Sequence, residues 1–311
     1  MTQQADIVRS ASQAMAAGST SFAAAARLFD VRTRESAVML YAWCRHCDDV
    51  IDGQQLGHGQ LQGRRDHGLA RLAGLERATR LACAGKPPPD SVMCGLAEVV
   101  ARHRIPLELP LAHLAGFGMD VAHARYRDLD DTLLYCWRVA GVVGVMMAMV
   151  MGTRKAATLD RACDLGMAFQ MTNIARDVVE DAAIGRVYLP CDWLASEGLF
   201  APDDLLRSAV RPALGRLAAR LVDTAEPYYR SAVAGIGELP LRSAWSIATA
   251  RGVYREIGRK VKAHGAHAWD GRVSTSRLDK LWFVARGAAV AVAAHGIESP
   301  ARPVGLFTRP H

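Results

Sequence analysis

The chain has 311 residues, half of them hydrophobic, which is enough apolar material for a sizeable buried core. Its 38 Lys and Arg residues exceed its 31 Asp and Glu residues, and the net charge of +7 favours an anionic partner such as a phosphorylated substrate or a membrane surface. Because the basic residues form no long run and aromatic residues make up only 6% of the chain, we expect no nucleic-acid partner.

The seven cysteines are odd in number and lie mostly within apolar helical patterns, which is typical of a reducing, cytoplasmic location rather than of a disulfide framework. The first residues hold no continuous apolar core, so we expect no signal peptide. The longest apolar stretch, residues 139–152, falls short of the roughly 20 residues that a membrane-spanning helix needs. It predicts a buried helix.

Apolar residues recur with helical spacing along nearly the whole chain, and clusters of Gly and Pro separate the segments. The sequence therefore predicts an all-α protein. No stretch has the composition of a domain linker, which favours a single domain over residues 1–295, followed by a Pro- and Arg-rich tail over 296–311 that we expect to be poorly ordered. The predicted helices cover residues 4–17, 22–29, 32–52, 66–84, 90–103, 108–124, 130–151, 158–182, 203–208, 211–235, 240–263 and 276–294.

The predicted helix over residues 32–52 ends in the sequence DDVID. Asp48 and Asp52 are four residues apart, so their carboxylates project from one helix face about 6 Å apart along the axis, with Asp49 beside them. Two like charges at this spacing repel each other unless a cation lies between them. On its own, the motif is as typical of a solvated acidic helix face as it is of a cation site.

A second acidic stripe lies in the predicted helix over residues 158–182. Asn173, Asp177 and Asp181 recur every four residues, and the sequence before them is apolar, so their oxygens project from a largely buried helix. An amide and two carboxylates suit a hard cation such as Mg²⁺, which binds through one or two carboxylates together with substrate phosphates. Two such helices facing each other would form a site for metal ions and a diphosphate.

Three arginines lie close to the acidic stripes in the sequence: Arg45, Arg176 and Arg186. An arginine in such a place either neutralises diphosphate oxygens that the metal ions leave uncovered or simply pairs with the aspartates. The sequence leaves both interpretations open.

The CxxC formed by Cys44 and Cys47 could indicate zinc or redox chemistry. No second CxxC or histidine pair at ligand spacing completes a site. We interpret both residues as reduced cysteines.

Several blocks of sequence around the acidic stripes resemble the squalene/phytoene synthase family, and the bacterial phytoene synthases in particular. The likeness runs from about residue 18 to residue 282. Five or more blocks in order are far more specific than a lone DDxxD, which terpene cyclases and chain-elongating prenyltransferases also carry. The blocks are GSTSFAAAARLF, LYAWCRHCDDVID, YCWRVAGVVGVMM, RACDLGMAFQMTNIARDVVED, GRVYLP and AEPYYRSAVAGIGELPLRSAWSIATARGVYREIGRKV.

This resemblance implies an all-α isoprenoid-synthase fold with a central apolar cavity between helices. It implies a Mg²⁺-dependent prenyltransferase that condenses two geranylgeranyl diphosphates head to head, through prephytoene diphosphate, to 15-cis-phytoene in carotenoid biosynthesis. Mn²⁺ is the implied substitute for Mg²⁺, and no nicotinamide is expected. The implied catalytic principle is stabilisation of the diphosphate leaving group by preorganised charge.

The resemblance also implies roles for individual residues. The implied metal ligands are oxygen donors on the two acidic helices: Asp48, Asp49, Asp52, Asn173, Asp177 and Asp181. The implied catalytic residues are Asp48, Asp52, Asp177, Asp181, Tyr41, Arg45 and Tyr135, the last beside the carbocation. The implied substrate-binding residues are Ser21, Phe22, Arg45, Gln170, Asn173, Arg176, Tyr254, Arg272 and Lys280. A dry wall for the carbocation is expected from Gly141, Gly144, Met146 and Met147, although that pattern is also typical of an ordinary core.

Two alternatives stay open at the level of sequence. A shorter-chain relative would make dehydrosqualene or squalene from farnesyl diphosphate, since the side chains that set cavity depth cannot be placed. A non-catalytic helical protein that binds anionic lipids would use the positive charge and the cavity, and would leave the aspartates dispensable. Because the implied substrate and product are lipids and the chain is basic, we also expect peripheral membrane contact.

Overall fold

The computed structural model describes residues 3–18, 20–53, 65–295 and 300–310. Throughout these ranges the regular structure is helical and no β-strand occurs, which confirms the predicted all-α fold. A single domain over residues 1–295 stays a prediction. The helices are α1 Gln3–Gly18, α2 Thr20–Ala26, α3 Val31–Asp52, α4 Arg65–Cys83, α5 Ser91–His103, α6 Glu108–Val121, α7 Leu129–Cys136, α8 Val142–Val150, α9 Ala156–Ala183, α10 Cys191–Ser196, α11 Arg211–Ile236, α12 Leu241–His264 and α13 Arg277–Ala294.

Local signals fix both ends of α3, the helix that carries the first acidic stripe. At its start, the Asp30 side chain accepts a hydrogen bond from the Thr33 backbone N–H at 3.0 Å. At its end, Gly53 adopts a left-handed conformation (φ 64°), which glycine tolerates because it has no Cβ. Asp52 is therefore the last helical residue, at the end of the helix.

A π-helical turn over residues 137–141 joins α7 to α8. The joined segment packs closely on α9 because two glycines remove side chains from the contact. A Cβ added at Gly144 would lie 2.3 Å from the Ala162 carbonyl oxygen, and one added at Gly166 would lie 2.3 Å from that of Ala140. The backbones of α8 and α9 thus approach each other directly.

The segment Leu129–Val150 is the one helix in the described ranges that is long and apolar enough to cross a membrane. Of its most apolar part, 61% is buried inside the molecule. This burial agrees with the buried helix predicted for residues 139–152.

A cavity of ≈ 290 Å³ lies between α2, α3, α8, α9, α11 and α12. Its walls are mainly apolar. On α9 the lining side chains extend from Thr158 to Asn173, a length of roughly 22 Å along the helix axis.

The described part of the C-terminal tail, residues 300–310, lies against α9 and α11. Arg302 binds both carboxylate oxygens of the fully buried Asp164, at 2.6 and 3.0 Å, and Arg309 lies 2.6 Å from Asp160. The Phe307 backbone N–H donates to the Tyr228 hydroxyl at 3.0 Å. In this part of the tail, Arg302 neutralises a carboxylate that would otherwise be buried and unpaired. The expectation of a poorly ordered tail over residues 296–311 stays a prediction.

Candidate active site

Both acidic stripes continue the cavity-lining faces of their helices. On α3, Cys44 lines the cavity, and Asp48 and Asp52 follow it four and eight residues later. Residues at this spacing lie on one helix face. The two aspartates therefore extend the α3 wall of the cavity beyond its apolar part.

The second stripe has the same relation to the cavity. Gln170 and Asn173 line the cavity on α9, and Asp177 and Asp181 follow at spacings of four residues. Arg186, just beyond α9, binds Asp52 with its Nη1 3.3 Å from Oδ2. The two stripes therefore meet at the same end of the cavity.

Arg45 pairs with the first acidic cluster. Its Nη1 lies 2.8 Å from Asp48 Oδ2, and its Nη2 lies 2.8 Å from Asp49 Oδ1. Asp49 also lines a separate depression with residues of α1 and α5, so it faces away from the stripe formed by Asp48 and Asp52. The structure thus does not bring the predicted ligand Asp49 together with the other five.

Two arginines surround Asp177. Arg176 Nε donates to Asp177 Oδ1 at 2.8 Å, and Arg272 Nη2 lies 3.5 Å from the same oxygen. Arg272 also binds Glu180 at 2.7 Å. Both arginines were predicted to contact substrate diphosphate, and the structure places both beside a carboxylate of the second stripe.

Burial changes the acidity of these carboxyl groups. It raises the pKa of Asp48 to about 6, with Arg45 opposing the shift. It raises the pKa of Asp181 to about 8, where the neighbouring Asp177 adds to the shift and Arg186 opposes it. Buried like charges of this kind are stabilised by an added cation.

Asn173 provides a direct test of whether a hard cation suits the site. Its Oδ1 is buried and has no hydrogen-bond partner in the described structure, while its Nδ2 donates to Gln170 Oε1 at 3.4 Å. A buried carbonyl oxygen without a donor costs free energy unless a ligand satisfies it. Lying between the cavity and two carboxylates, it fits a Mg²⁺ ion.

Among the described residues, no three His, Cys, Asp or Glu side chains are close enough together to form a metal site by themselves. The candidate donors are instead divided between α3 and α9. This arrangement suits Mg²⁺ that also binds substrate phosphates, since such ions take only one or two protein carboxylates each. The metal-ligand assignment stays a prediction.

An aromatic cluster lines the cavity next to this polar end. Tyr254 stacks on Phe169 with ring centroids 4.3 Å apart, and Phe22 lies 5.5 Å from Tyr254 and 6.1 Å from Tyr41. Burial raises the pKa of Tyr41, which keeps its phenol neutral. Phe22, Tyr41 and Tyr254 were predicted site residues; Phe169 was missed, although it lies within the AFQMTN block one residue before Gln170.

Two further residues near the polar end, Asp120 and Tyr188, were not predicted. Asp120 is buried and accepts hydrogen bonds from the hydroxyls of Tyr188 at 2.9 Å and Tyr135 at 3.3 Å. Burial raises the pKa of Asp120 to about 6, and Arg186 opposes this shift. Asp120 is an isolated carboxylate in its local sequence, so no spacing pattern could reveal it.

The structure does not bring every predicted residue to the cavity. Tyr135 stacks on Tyr188 at a centroid distance of 4.5 Å and binds Asp120, so it lies outside the cavity lining where it was expected. Lys280 is half-buried on α13 and also lies outside the lining. The Ser21 side chain falls outside the described part of the chain.

The structure brings only half of the expected carbocation wall to the cavity. Gly144 and Met147 line the cavity, whereas Gly141 and Met146 are not among its lining residues.

The CxxC residues are free thiols in the structure. Burial raises the pKa of the Cys44 thiol to about 12, so this cavity-lining residue stays protonated and unreactive.

The chain is similar in sequence to known proteins of one family. Residues 15–279 match the squalene/phytoene synthase family model. The chain is 52% identical over 304 residues to the 15-cis-phytoene synthase of Pantoea ananas, covering 98% of each chain. It is 53% identical over 296 residues to that of Enterobacter agglomerans, covering 95% of this chain and 100% of the relative.

Among solved structures, a dehydrosqualene synthase in complex with ligand has a TM-score of 0.82 and 26% identity, over 93% of this chain and 98% of that chain. The likeness in fold thus spans the cavity, both acidic helices and the helices around them. Together with the sequence matches, it confirms the resemblance found in the sequence blocks: the chain belongs to the squalene/phytoene synthase family.

Proposed function

We propose that this chain condenses two geranylgeranyl diphosphates to 15-cis-phytoene in carotenoid biosynthesis, with Mg²⁺ as the cofactor. The observation that carries the proposal is the meeting of two oxygen-donor stripes at one end of a long apolar cavity. A diphosphate fits the polar end and its prenyl chain fits the apolar part. Relatives about half identical to this chain over nearly their full length carry this activity in their names.

The polar end supplies charge for loss of diphosphate. The residues that would hold Mg²⁺ are Asp48, Asp52, Asn173, Asp177 and Asp181. Bound Mg²⁺ would neutralise the leaving diphosphate and so weaken its allylic carbon–oxygen bond. Arg45, Arg176, Arg186 and Arg272 pair with these carboxylates or their neighbours, so their guanidinium groups lie where diphosphate oxygens would bind.

The apolar part of the cavity would protect the reacting carbon. After the carbon–oxygen bond breaks, a double bond of the second substrate attacks the allylic cation, and a proton leaves to give a cyclopropylcarbinyl diphosphate. Loss of the second diphosphate, rearrangement of the ring and loss of a second proton give phytoene. The rings of Phe22, Phe169 and Tyr254 present aromatic faces that stabilise positive charge and exclude water.

The substrate is tested by incubating purified protein with Mg²⁺ and either geranylgeranyl or farnesyl diphosphate, and then extracting the hydrocarbon. We expect phytoene from the first substrate, with Mn²⁺ as a substitute and no effect of NADPH. Product from farnesyl diphosphate alone would favour the shorter-chain alternative. Dependence of that product on NADPH would indicate squalene, because squalene formation requires a hydride.

The competing class is a non-catalytic protein that binds anionic lipids. Under that reading Asp48→Ala and Asp177→Ala leave cellular pigment unchanged. We expect instead that each variant loses about 100-fold or more in kcat while its circular dichroism is retained, since these side chains hold charge rather than core packing. Asp130→Ala, at an exposed carboxylate on α7, is the matched control and should keep full activity.

We also propose a cytoplasmic protein that contacts membranes peripherally. The proposal is supported by the net charge of +7 and by the lipid nature of the proposed substrate and product.

A further inference from the structure

A cleft between α12 and α13 concentrates positive charge away from the cavity. Four arginines line this arginine cleft, Arg251, Arg255, Arg259 and Arg286, and its volume is ≈ 190 Å³. The two helices are held closely together there: a Cβ added at Gly252 would lie 2.5 Å from the Phe283 ring. The arginines are thus displayed on a rigid pair of helices.

The carboxylates around the cleft do not balance these arginines. Glu226 accepts from Arg255 Nε at 2.8 Å, and Glu256 lies 3.6 Å from Arg259. Asp279 lies 2.6 Å from Lys260 instead. In the described part of the chain, this leaves two of the four arginines without an ion pair to a carboxylate; they are Arg251 and Arg286.

Arg251 is held in this position by the protein backbone. Its Nε donates to the Tyr229 carbonyl oxygen at 2.7 Å, which directs the rest of the guanidinium into the cleft. Burial, with the charges of Arg255 and Arg286, lowers its pKa to about 10. Clustered cations of this kind are stabilised by an anion with several acceptor oxygens, such as a phosphate ester.

An exposed apolar patch adjoins the cleft on α13. Leu278, Leu281 and Trp282 are 77%, 66% and 62% exposed, and Trp282 also lines the cleft. Leu278, Trp282 and Arg286 recur every four residues and share one face of the helix. Large exposed aliphatic and aromatic side chains next to arginines are typical of helices that lie in the interface of an anionic bilayer.

The segment that joins α12 to α13 reaches the polar end of the cavity. Arg272, in the segment that connects α12 to α13, lies 3.5 Å from Asp177, and Tyr254 of α12 lines the cavity. The helix pair that carries the cleft and the patch is therefore connected directly to the end where the diphosphate is proposed to bind.

We propose that the α12–α13 face docks on an anionic lipid bilayer: the arginine cleft binds lipid phosphate, while Leu278, Leu281 and Trp282 enter the boundary between headgroups and acyl chains. The inference deepens the proposed peripheral membrane contact and rests on the proposed function only for its lipid substrate. It is tested by flotation of the full chain with vesicles of phosphatidylcholine alone and of phosphatidylcholine mixed with phosphatidylglycerol. We expect flotation with the anionic vesicles and release at high salt.

Variants locate the surface. Arg286→Gln should weaken partitioning to anionic vesicles about fivefold, and the Leu278→Ala/Trp282→Ala double variant about tenfold or more. The matched controls are Arg9→Gln on α1 and Phe200→Ala after α10, both at exposed positions, and they should bind as the unmodified chain does. All changes are at exposed or partly exposed positions, and circular dichroism checks that the fold persists.

Three results would overturn the inference: equal flotation with neutral vesicles, equal binding by the α13 variants and their controls, or stabilisation by inorganic phosphate without any flotation. Light scattering adds a fourth, since a dimer that the α13 variants dissociate would mean that a second copy covers this face. Phytoene synthesis from detergent-dispersed substrate is measured in parallel and should be unchanged in the variants. A chain that floats but makes no phytoene would refute the proposed function and leave the docking surface standing.

Discussion

Arg186, three residues beyond the end of α9, binds both carboxylate oxygens of Asp52 in the last turn of α3, with Nη1 3.3 Å from Oδ2. The same guanidinium opposes the burial that raises the pKa of Asp120 and of Asp181. It also opposes the burial that raises the pKa of Asp48. Arg186 is therefore a shared counter-ion for four carboxyl groups from three different segments. It links the two acidic helices and Asp120 at the polar end of the cavity.

This shared position predicts that Arg186→Gln is costly for both stability and activity. We expect a loss of about 3 kcal/mol in the free energy of unfolding, because a mostly buried pair loses one partner. Activity should fall about 100-fold, since the site loses preorganised positive charge. Urea unfolding and hydrocarbon assays measure the two effects.

Arg127→Gln is the control for Arg186→Gln. Arg127 pairs with Asp131 at 2.9 Å, but its side chain is 82% exposed. Because solvent screens an ion pair this exposed, its removal should leave both the free energy of unfolding and the activity nearly unchanged. Similar losses in the two variants would show that Arg186 has no special role.

The raised pKa of Asp120 predicts that the free energy of unfolding falls as the pH rises. Burial raises its pKa from 3.8 to about 6, so between these values the folded protein keeps a proton that the unfolded chain has lost. Stability from this group is complete below the unfolded pKa and is lost as the pH rises through the folded one. Across this pH range, the contribution of Asp120 to the free energy of unfolding falls by on the order of 3 kcal/mol.

Asp120→Asn should remove that fall. In urea unfolding between about pH 4 and about pH 7, the variant should lose less stability with rising pH than the unmodified chain. The exposed Asp130→Asn serves as the control and should keep the original slope. Parallel slopes for Asp120→Asn and the unmodified chain would contradict the argument.

The contrast between Asp120 and the two acidic stripes shows what the sequence could predict. Spacings of four residues placed Asp48 with Asp52 and Asp177 with Asp181, because helix geometry alone brings such residues to one face. The contact of Asp120 with Tyr188 joins residues 68 positions apart, and only the packing of several helices creates it.

The contacts of Tyr135 and of Arg302 in the tail could not be predicted from the sequence, for related reasons. The role of Tyr135 came from the family pattern and not from the cavity-lining face of its helix, and the structure directs its hydroxyl to Asp120. The composition of residues 296–311 is typical of disorder, but composition contains no information about Asp164, which lies 138 positions before Arg302. Long-range ion pairs of this kind are not visible in local sequence.

The pair of Arg302 and Asp164 predicts that the tail stabilises the end of the cavity that lies away from the acidic stripes. Asp164 is fully buried, and Ser231 links it to Arg161, which lines that end. Arg302→Gln leaves the buried carboxylate without its cation and should cost about 3–5 kcal/mol in unfolding free energy.

A double variant separates this charge effect from a simple loss of contacts. Asp164→Asn combined with Arg302→Gln removes both charges and should recover part of the stability lost in Arg302→Gln alone. Thermal unfolding of the single and double variants measures the coupling. Additive losses would refute the pairing as the reason for the tail's position.

The contact between α8 and α9 gives the sharpest packing prediction. A Cβ at Gly144 would lie 2.3 Å from the Ala162 carbonyl oxygen, a backbone atom that can move only if the two helices separate. Gly144→Ala should therefore destabilise the protein by about 1–3 kcal/mol. Because Gly144 lines the cavity, the separation of the helices should also widen the cavity and lower activity.

Gly74→Ala on α4 is the matched control, because a Cβ at this position meets nothing within 4 Å. Replacing this helical glycine should instead stabilise the protein by about 0.5–1 kcal/mol, since alanine loses less backbone entropy on folding. Denaturant unfolding of both variants checks the opposite signs, and a neutral or stabilising Gly144→Ala would mean that direct backbone contact does not set the distance between α8 and α9.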